Sequence, residues 1–372
     1  MQNLQYIYSV GKLDDWTKNA GSRNKVSAQV KALNQNGLPS VVLMKPMLSK
    51  WIRMLPFQSS NSDWDHICLP PEATAIYIRY NASSMPFLRF LKKQKCQYPQ
   101  RKILIEFPTY PYDQEPMNIL KKARDRFYRK FIHKYVDRCV LMSSDKEVFG
   151  IKSIQIDNGI DCDEIHQRTP ILHEGNTVRL LAVATVANWH GYDRVIRGLG
   201  EYYAESPKRN VELHLVGGGR LIPELKQLCV ECGVENYVYF HGWKKGEDLG
   251  KLFDQCDMGV GCLGVHRKDI TYTNSLKLRE YAARGIPFFY GDIDLAMEEH
   301  FKEYLMNVPA NDDPIVISDI IRFYNEMKEK GFDKIAVEMH GLAERNLSWT
   351  KQLKPVVDYI LSDDAESIQS EG

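Results

Sequence analysis

Residues 270–290 of this 372-residue chain, ITYTNSLKLREYAARGIPFFY, have the types and spacing that best support chemistry. Residues 273–276 read as a short polar turn. Residues 277–283 have helical spacing with Leu278, Tyr281 and Ala282 on one side, and Gly285 stands where a helix-ending glycine belongs. The apolar run 286–290 then reads as a strand. The first amides of a helix lack intrahelical acceptors and sit at the positive end of its dipole, so an anion is the natural guest of Ser275, Leu276 and Lys277. Glu280, one turn further on, is spaced to accept two hydroxyl hydrogen bonds from a ribose while the helix N-terminus holds a diphosphate. A nucleotide-sugar would fill such a site. The competing reading is an ordinary amphipathic helix whose Lys277 and Glu280 face water.

A site of this kind needs a parallel sheet behind it, and the second half of the chain supplies the pattern. Strands are expected at 178–184, 211–216, 237–241, 258–262 and 287–290, alternating with helices at 193–205, 222–232, 247–255 and 275–284. Near-continuous apolar strands such as LLAVA suit a sheet covered on both faces. In the first half, strands are expected at 4–10, 40–44, 75–80, 102–107 and 138–142. A polar loop over 11–25 carries Gly21-Ser22-Arg23 ahead of a helix over 26–36, which is a nucleotide-binding opening without the G-x-G-x-x-G fingerprint. The pattern predicts an α/β protein of two doubly wound, Rossmann-like domains facing each other across a cleft, with ligand at the carboxyl ends of the strands. The expected bounds are 1–157 and 158–340, with a helical segment at 341–361 returning to the first domain and a disordered acidic tail at 362–372.

Composition narrows the class. At 44% apolar and 11% aromatic residues the chain is globular. It has no long apolar span and no basic-then-apolar leader, so the expected compartment is the cytosol. The eight cysteines lie mostly in apolar runs, as reduced core cysteines do, and Cys229, Cys232, Cys256 and Cys262 are not spaced as a zinc site. Three D-x-D runs, at Asp63, Asp161 and Asp292, read as turns and caps, so no metal is expected. A net charge of +1 hides an asymmetry. Residues 1–160 carry 25 Lys and Arg against 13 Asp and Glu, a net of +12, and the remainder carries 24 against 35, a net of −11. Over 120–138 cations interleave with Phe127, Tyr128, Phe131 and Ile132 at helical spacing, which suits an anionic membrane surface. No nucleic-acid module is recognisable.

Several pieces of the second half stand in a familiar order: NGID from Asn158, ATVANWHGYDR from Ala184, LVGGG from Leu215, FHGW from Phe240, CDMGVG from Cys256 and SLKLREYAARGIP from Ser275. In order and spacing the chain resembles the bacterial family 4 and related glycosyltransferases of the GT-B fold, particularly those of capsule and exopolysaccharide assembly. The likeness is clear over 155–290 and thin over the first 150 residues. It implies that Glu280 binds the ribose hydroxyls and that the backbone of Ser275 and Leu276 holds the diphosphate. It implies too that Gly217, Gly218 and Gly219 admit the nucleotide closely and that the loop from His241 to Trp243 borders the base.

Two departures stand out. The earlier glutamate of the family, eight positions before Glu280, is Tyr272 here, and its Arg and Lys that neutralise the diphosphate fall at Thr185 and His190. A protonated His190, Lys277, Arg23 and the helix end at Ser275 are the expected substitutes. Glu106, at the carboxyl end of KILI, is the candidate to orient the acceptor or take its proton, with a structural hydrogen bond as the competing reading. The expectation is a retaining transfer of a sugar from a nucleotide donor, UDP-linked, to a growing, lipid-linked saccharide at the inner membrane face, without a metal cofactor. A sugar-nucleotide epimerase and a non-catalytic sugar-nucleotide-binding partner are the rival readings.

Overall fold

The computed structural model describes residues 2–10, 20–46, 64–108, 119–171, 175–207, 209–270 and 272–362. The chain divides into two compact units, Met1–Asp157 with Trp349–Gly372, and Asn158–Ser348.

The first unit is built on β1 (Leu4–Val10), β2 (Ser40–Pro46), β3 (Ala75–Arg79), β4 (Lys102–Phe107), β5 (Arg138–Leu141), β6 (Glu147–Val148) and β7 (Ile151–Gln155). They lie in the order β2-β1-β3-β4-β5-β7-β6, parallel except for the β6–β7 pair. Strand alternation divides the core. Ile103, Ile105 and Phe107 of β4 join Trp64, Phe87, Phe90 and Ile132 on one face. Leu104 turns to the other, where Tyr6, Val26 and Leu33 meet Trp349, Leu353, Val356 and Ile360 of the helix Trp349–Leu361.

Two local expectations fail here. The first helix runs from Ala20 to Gln35, so Gly21 and Arg23 stand in its first turn and not in a loop. Its end is as expected, with Gly37 at φ +81° and the Leu38 amide donating back to Leu33 O at 2.8 Å. The basic helix ends at Arg129, and a single turn at Ile132–Lys134 follows before β5. Neither Gly nor Pro breaks it; buried Ile132 and Val136 and the entry into β5 pull the chain out of helical register.

The second unit holds β8 (Thr177–Val183), β9 (Asn210–Val216), β10 (Val238–Gly242), β11 (Met258–Val260), β12 (Phe288–Tyr290) and β13 (Leu305–Asn307), all parallel in the order β10-β9-β8-β11-β12-β13. The order reverses between β8 and β11, the chain going on from β8 to β9 on one side and from β11 to β12 on the other. Helices Tyr192–Ala204, Ile222–Cys232, Gly246–Gln255 and Leu276–Arg284 fall within a residue or two of their expected bounds. Strand β13 and the helices Ile317–Lys330 and Phe332–Leu347 complete the unit without having been read from the pattern.

Arg279, fully buried, forks onto the Asp294 carboxylate, which also caps the helix Leu295–His300 through the Met297 amide at 3.4 Å. Removing one partner of a buried pair strands the other charge, at a cost of about 3–5 kcal/mol. Asp294→Ala is expected to lower the stability of the chain by that amount in urea unfolding; a loss below about 1 kcal/mol would show that the pair does not hold this unit together.

Candidate functional site

The site forms where the strand order of the second sheet reverses. After β8 the chain turns through Asn188–His190 and enters the helix Tyr192–Ala204 at Gly191. Gly191 has φ +65°, and a Cβ there would lie 2.8 Å from the Gly264 nitrogen, so only glycine fits. The loop after β11 runs alongside: the amides of Leu263 and Gly264 donate to His190 O and Trp189 O at 2.9 and 3.2 Å. Arg267 clamps the pair, donating to Asn188 O, to both Asp193 oxygens and to Asp312. Buried Arg194 adds bonds to Leu263 O and Asp313 O.

The segment leading into the helix Leu276–Arg284 is equally constrained. Asn158 donates two hydrogen bonds to Asn274, from its amide to Oδ1 at 3.0 Å and from Nδ2 to the carbonyl at 2.7 Å; the Thr273 amide donates to Ile293 O at 2.8 Å, and the Thr273 hydroxyl donates to Asp292. Ser275 is the residue before the helix, but its side chain makes no cap bond. No described group accepts from the amides of Leu276, Lys277 or Leu278. Free amides at a helix start are donors for an anion; the Ser275 amide is not among them, since it donates to Asp294 Oδ2 at 3.4 Å. Lys277 donates to the Tyr192 hydroxyl at 2.7 Å. Glu280 is partly exposed; one carboxylate oxygen accepts from Arg284 at 2.9 Å and the other has no partner among the described residues.

Burial revises other expectations. His190 is 8% exposed; burial first, and then the Lys277 charge, lower its pKa to about 3, so it is not the protonated donor expected. Its Nδ1 lies 3.0 Å from the Ala187 amide and 3.3 Å from the Ala187 carbonyl; with Nδ1 as acceptor of the shorter bond, the capping role, the proton of the neutral ring sits on Nε2. Gly217 and Gly219 take positive φ, and Cβ atoms there would strike Ala184 O and Val186 O at 1.9 and 2.3 Å. A Cβ on Gly218 would lie 2.6 Å from the Trp243 indole nitrogen. The glycine run thus makes room first for this chain's own β8 exit and Trp243. His241 meets His214 at 3.0 Å, and His214 meets Glu212 at 3.3 Å.

Glu106 is not exposed at all. Its carboxylate accepts from Tyr77 at 2.9 Å and Gln29 at 3.0 Å, and pairs with Arg79, with Lys25 at 3.7 Å. Burial alone would raise its pKa, but Arg79 and Lys25 overcome that and hold it below the usual range. A buried, depressed carboxylate neither meets an acceptor nor takes its proton, so Glu106 is a structural anchor of the first unit. The rest of the loop over 109–118 lies outside the described residues, as does Asp63. Gly21 and Arg23 belong to the first unit's opening helix and form no glycine loop.

Asp292 was read as a turn residue and is more. It is 7% exposed, its Oδ1 is buried with no partner among the described residues, and burial raises its pKa to about 6. It lines a cavity of about 480 Å³ with His266, Asp269, Ile270, Ile293 and Asn307. Besides the D-x-D run, its sequence signal is its place two residues past β12, at the carboxyl end of a buried strand.

The sequence matches no protein-family model and no curated protein at a significant level. The fold matches solved structures along the whole chain. A glycosyltransferase from Rickettsia africae superposes with a TM-score of 0.64 at 14% identity, covering 97% of this chain and 99% of that one. HepE of Anabaena, in complex with UDP, gives 0.62 at 14% over the same shares. The lipopolysaccharide outer core galactosyltransferase WaaB gives 0.60 at 12%, covering 97% and 100%. The chain therefore has the GT-B fold, two parallel α/β sheets of seven and six strands.

The raised pKa of Asp292 ties stability to pH. The folded protein holds this proton more tightly than the unfolded chain, so the contribution is present below about pH 4 and lost as the pH rises through about 6. The difference amounts to about 3 kcal/mol. Asp292→Asn is expected to remove that slope, gaining stability relative to wild type as pH goes from 4 to 7; parallel urea-stability profiles for the two proteins would count against it.

Proposed function

We propose that the protein is a glycosyltransferase that moves a sugar from a nucleotide-linked donor, UDP-linked in the first instance, to a growing saccharide acceptor, lipid-linked, with retention of anomeric configuration. One observation carries the reading: the uncapped start of the helix Leu276–Arg284 lies at the strand-order reversal of a GT-B sheet, with the free Glu280 oxygen one turn along. HepE, of the same fold, has been solved with UDP and with UDP-glucose.

The diphosphate leaving group gathers negative charge as the anomeric bond breaks, and donors already aimed at that charge lower the barrier. The amides of Leu276, Lys277 and Leu278 are such donors. So is His190 Nε2–H, which acts as a neutral hydrogen-bond donor and not as a cation. The stereochemistry and the acceptor class rest on the resemblance to family 4 enzymes.

The basic helix Ile119–Arg129 supports a peripheral site of action on the inner face of the cell membrane. Ile119, Phe127 and Phe131 are exposed beside Arg126, Lys130 and Lys134, a mixed apolar and cationic face that suits anionic lipid. Arg129 does not belong to it: buried, it pairs with Asp125 at 3.2 Å and stacks on Phe149. Among the described residues no helix is long and apolar enough to cross a membrane.

The activity test is incubation with a panel of nucleotide-sugars with and without saccharide acceptors. Acceptor-dependent transfer is expected; epimerisation without an acceptor would place the protein in the rival enzyme class. Glu280→Ala is expected to weaken UDP binding by ten- to a hundredfold, the loss of a charge-assisted hydrogen bond of about 1.5–3 kcal/mol. An unchanged dissociation constant by calorimetry would take Glu280 out of the site.

For the membrane reading, co-sedimentation with phosphatidylglycerol vesicles is expected to fall at high salt. It should also fall when Lys121, Lys122, Arg126 and Lys130 are changed to Glu, each basic residue contributing about 1 kcal/mol. Equal sedimentation of variant and wild type would assign the basic face to something other than lipid.

A further inference from the structure

The cavity beside Asp292 belongs to the second unit, and none of the groups read as donors to a nucleotide lines it. Its walls come from the turn Val265–Lys268 with the residues just after it, and from the loops leaving β12 and β13. The polar part of the lining is made of acceptors. Asp292, more than nine-tenths buried, engages one carboxylate oxygen with the Thr273 hydroxyl, while Oδ1 is buried with no partner among the described residues. His266 turns Nε2 to the Asp312 carboxylate at 3.2 Å, so that nitrogen carries a proton and Nδ1 of the neutral ring is an acceptor. Nδ1 is buried and likewise meets no described group. Asp269 stands at the exposed rim, and its carboxylate has no partner among the described residues. Buried acceptors left unmet are uncommon in folded proteins, and two on the wall of one cavity ask for a donor from outside the chain.

Charge points the same way. Among the described residues no lysine or arginine lines the cavity. Cations on the neighbouring elements are engaged elsewhere: Arg267 with Asp193 and Asp312, Lys268 over the Trp189 ring and Lys277 with the Tyr192 hydroxyl. A metal ion would need the acceptors to converge, and among the described residues no three His, Cys, Asp or Glu side chains are placed to hold one. Acceptors spread around a space of about 480 Å³ are met instead by a ligand of several atoms. A neutral polyol would bring donors without charge. An ammonium group brings three donors and the missing charge together. Ile270, Ile293 and Val308 complete the lining and suit the carbon frame of such a ligand.

We propose that this cavity binds a small molecule carrying a protonated primary amine, with Asp292 and Asp269 as its carboxylate partners and His266 Nδ1 accepting from a second donor such as a hydroxyl. The site does not depend on the nucleotide reading. An asparagine at 292 would also accept from the Thr273 hydroxyl and would be easier to bury, so the carboxylate there calls for a ligand that uses its charge.

Titration calorimetry with glucosamine, glucose and N-acetylglucosamine tests this at pH 7, where Asp292 is mainly ionised. The three share a frame and differ in the free amine. Glucosamine is expected to bind, with glucose and N-acetylglucosamine at least tenfold weaker. Butylamine, an amine without hydroxyls, should bind as well. Asp292→Asn should lose at least tenfold in affinity for both amines, and Asp269→Asn, at an exposed position, severalfold. The first variant is expected to be the more stable protein at this pH, so melting curves separate lost affinity from lost fold. Equal affinity for glucose and glucosamine overturns the proposal, as does wild-type amine affinity in Asp292→Asn or a wild-type protein that binds neither amine. Binding of magnesium or manganese that Asp292→Asn abolishes would make this a metal site and overturn it too. Saturating UDP should leave amine binding unchanged; competition would overturn the proposal, whereas a protein that binds the amines but not UDP would keep it and remove the nucleotide reading.

Discussion

The contact between the loops leaving β8 and β11 is the constraint on which the second unit's site depends. Two backbone hydrogen bonds, a glycine with no room for a Cβ and the Arg267 fork lock these loops edge to edge. The His190 ring takes its position from that lock. Loosening it would separate groups that lie up to about ninety residues apart in sequence but act on one another directly, such as His190 with Lys277. Side chains meant to act together are best placed by rigid surroundings, and this chain builds that rigidity from arginines already paired with acids.

The distribution of charge follows the same division of labour. Arg267 and Arg279 are saturated by carboxylates and hold structure. Lys268 lies over the Trp189 ring at 3.4 Å, and Lys277 donates to the Tyr192 hydroxyl at 2.7 Å. A guanidinium suits bidentate, permanent pairing, while an ammonium on a flexible stem can turn toward a ligand. The histidine between them is kept neutral by burial and by their charges, so it contributes a directed N–H and no additional cation.

In the first unit the polar residue at the end of β4 serves the fold. Glu106 joins β1, β3 and the helix Ala20–Gln35 through Tyr6, Tyr77, Arg79, Gln29 and Lys25. Lys25 itself is depressed to about 8, mainly by burial, and its chain lies against Trp349 of the returning C-terminal helix. Burying a carboxylate this deeply is tolerable only because two cations and three neutral donors surround it.

By itself the sequence determined what depends on neighbours close along the chain. The strands of both sheets other than β6, β7 and β13, the helix ending at Gly285 and the alternation behind a doubly wound fold are legible because period 2, period 3.6 and glycine stops are local properties. The split of charge between the halves is legible for the same reason. Only the tertiary structure decided that His190 is neutral, that Glu106 and Arg129 are buried and that Asp292 is a buried acid of raised pKa. Each of those outcomes is set by how much water a group loses and which charges lie near it, and both depend on residues tens of positions away that come together only when the sheets form.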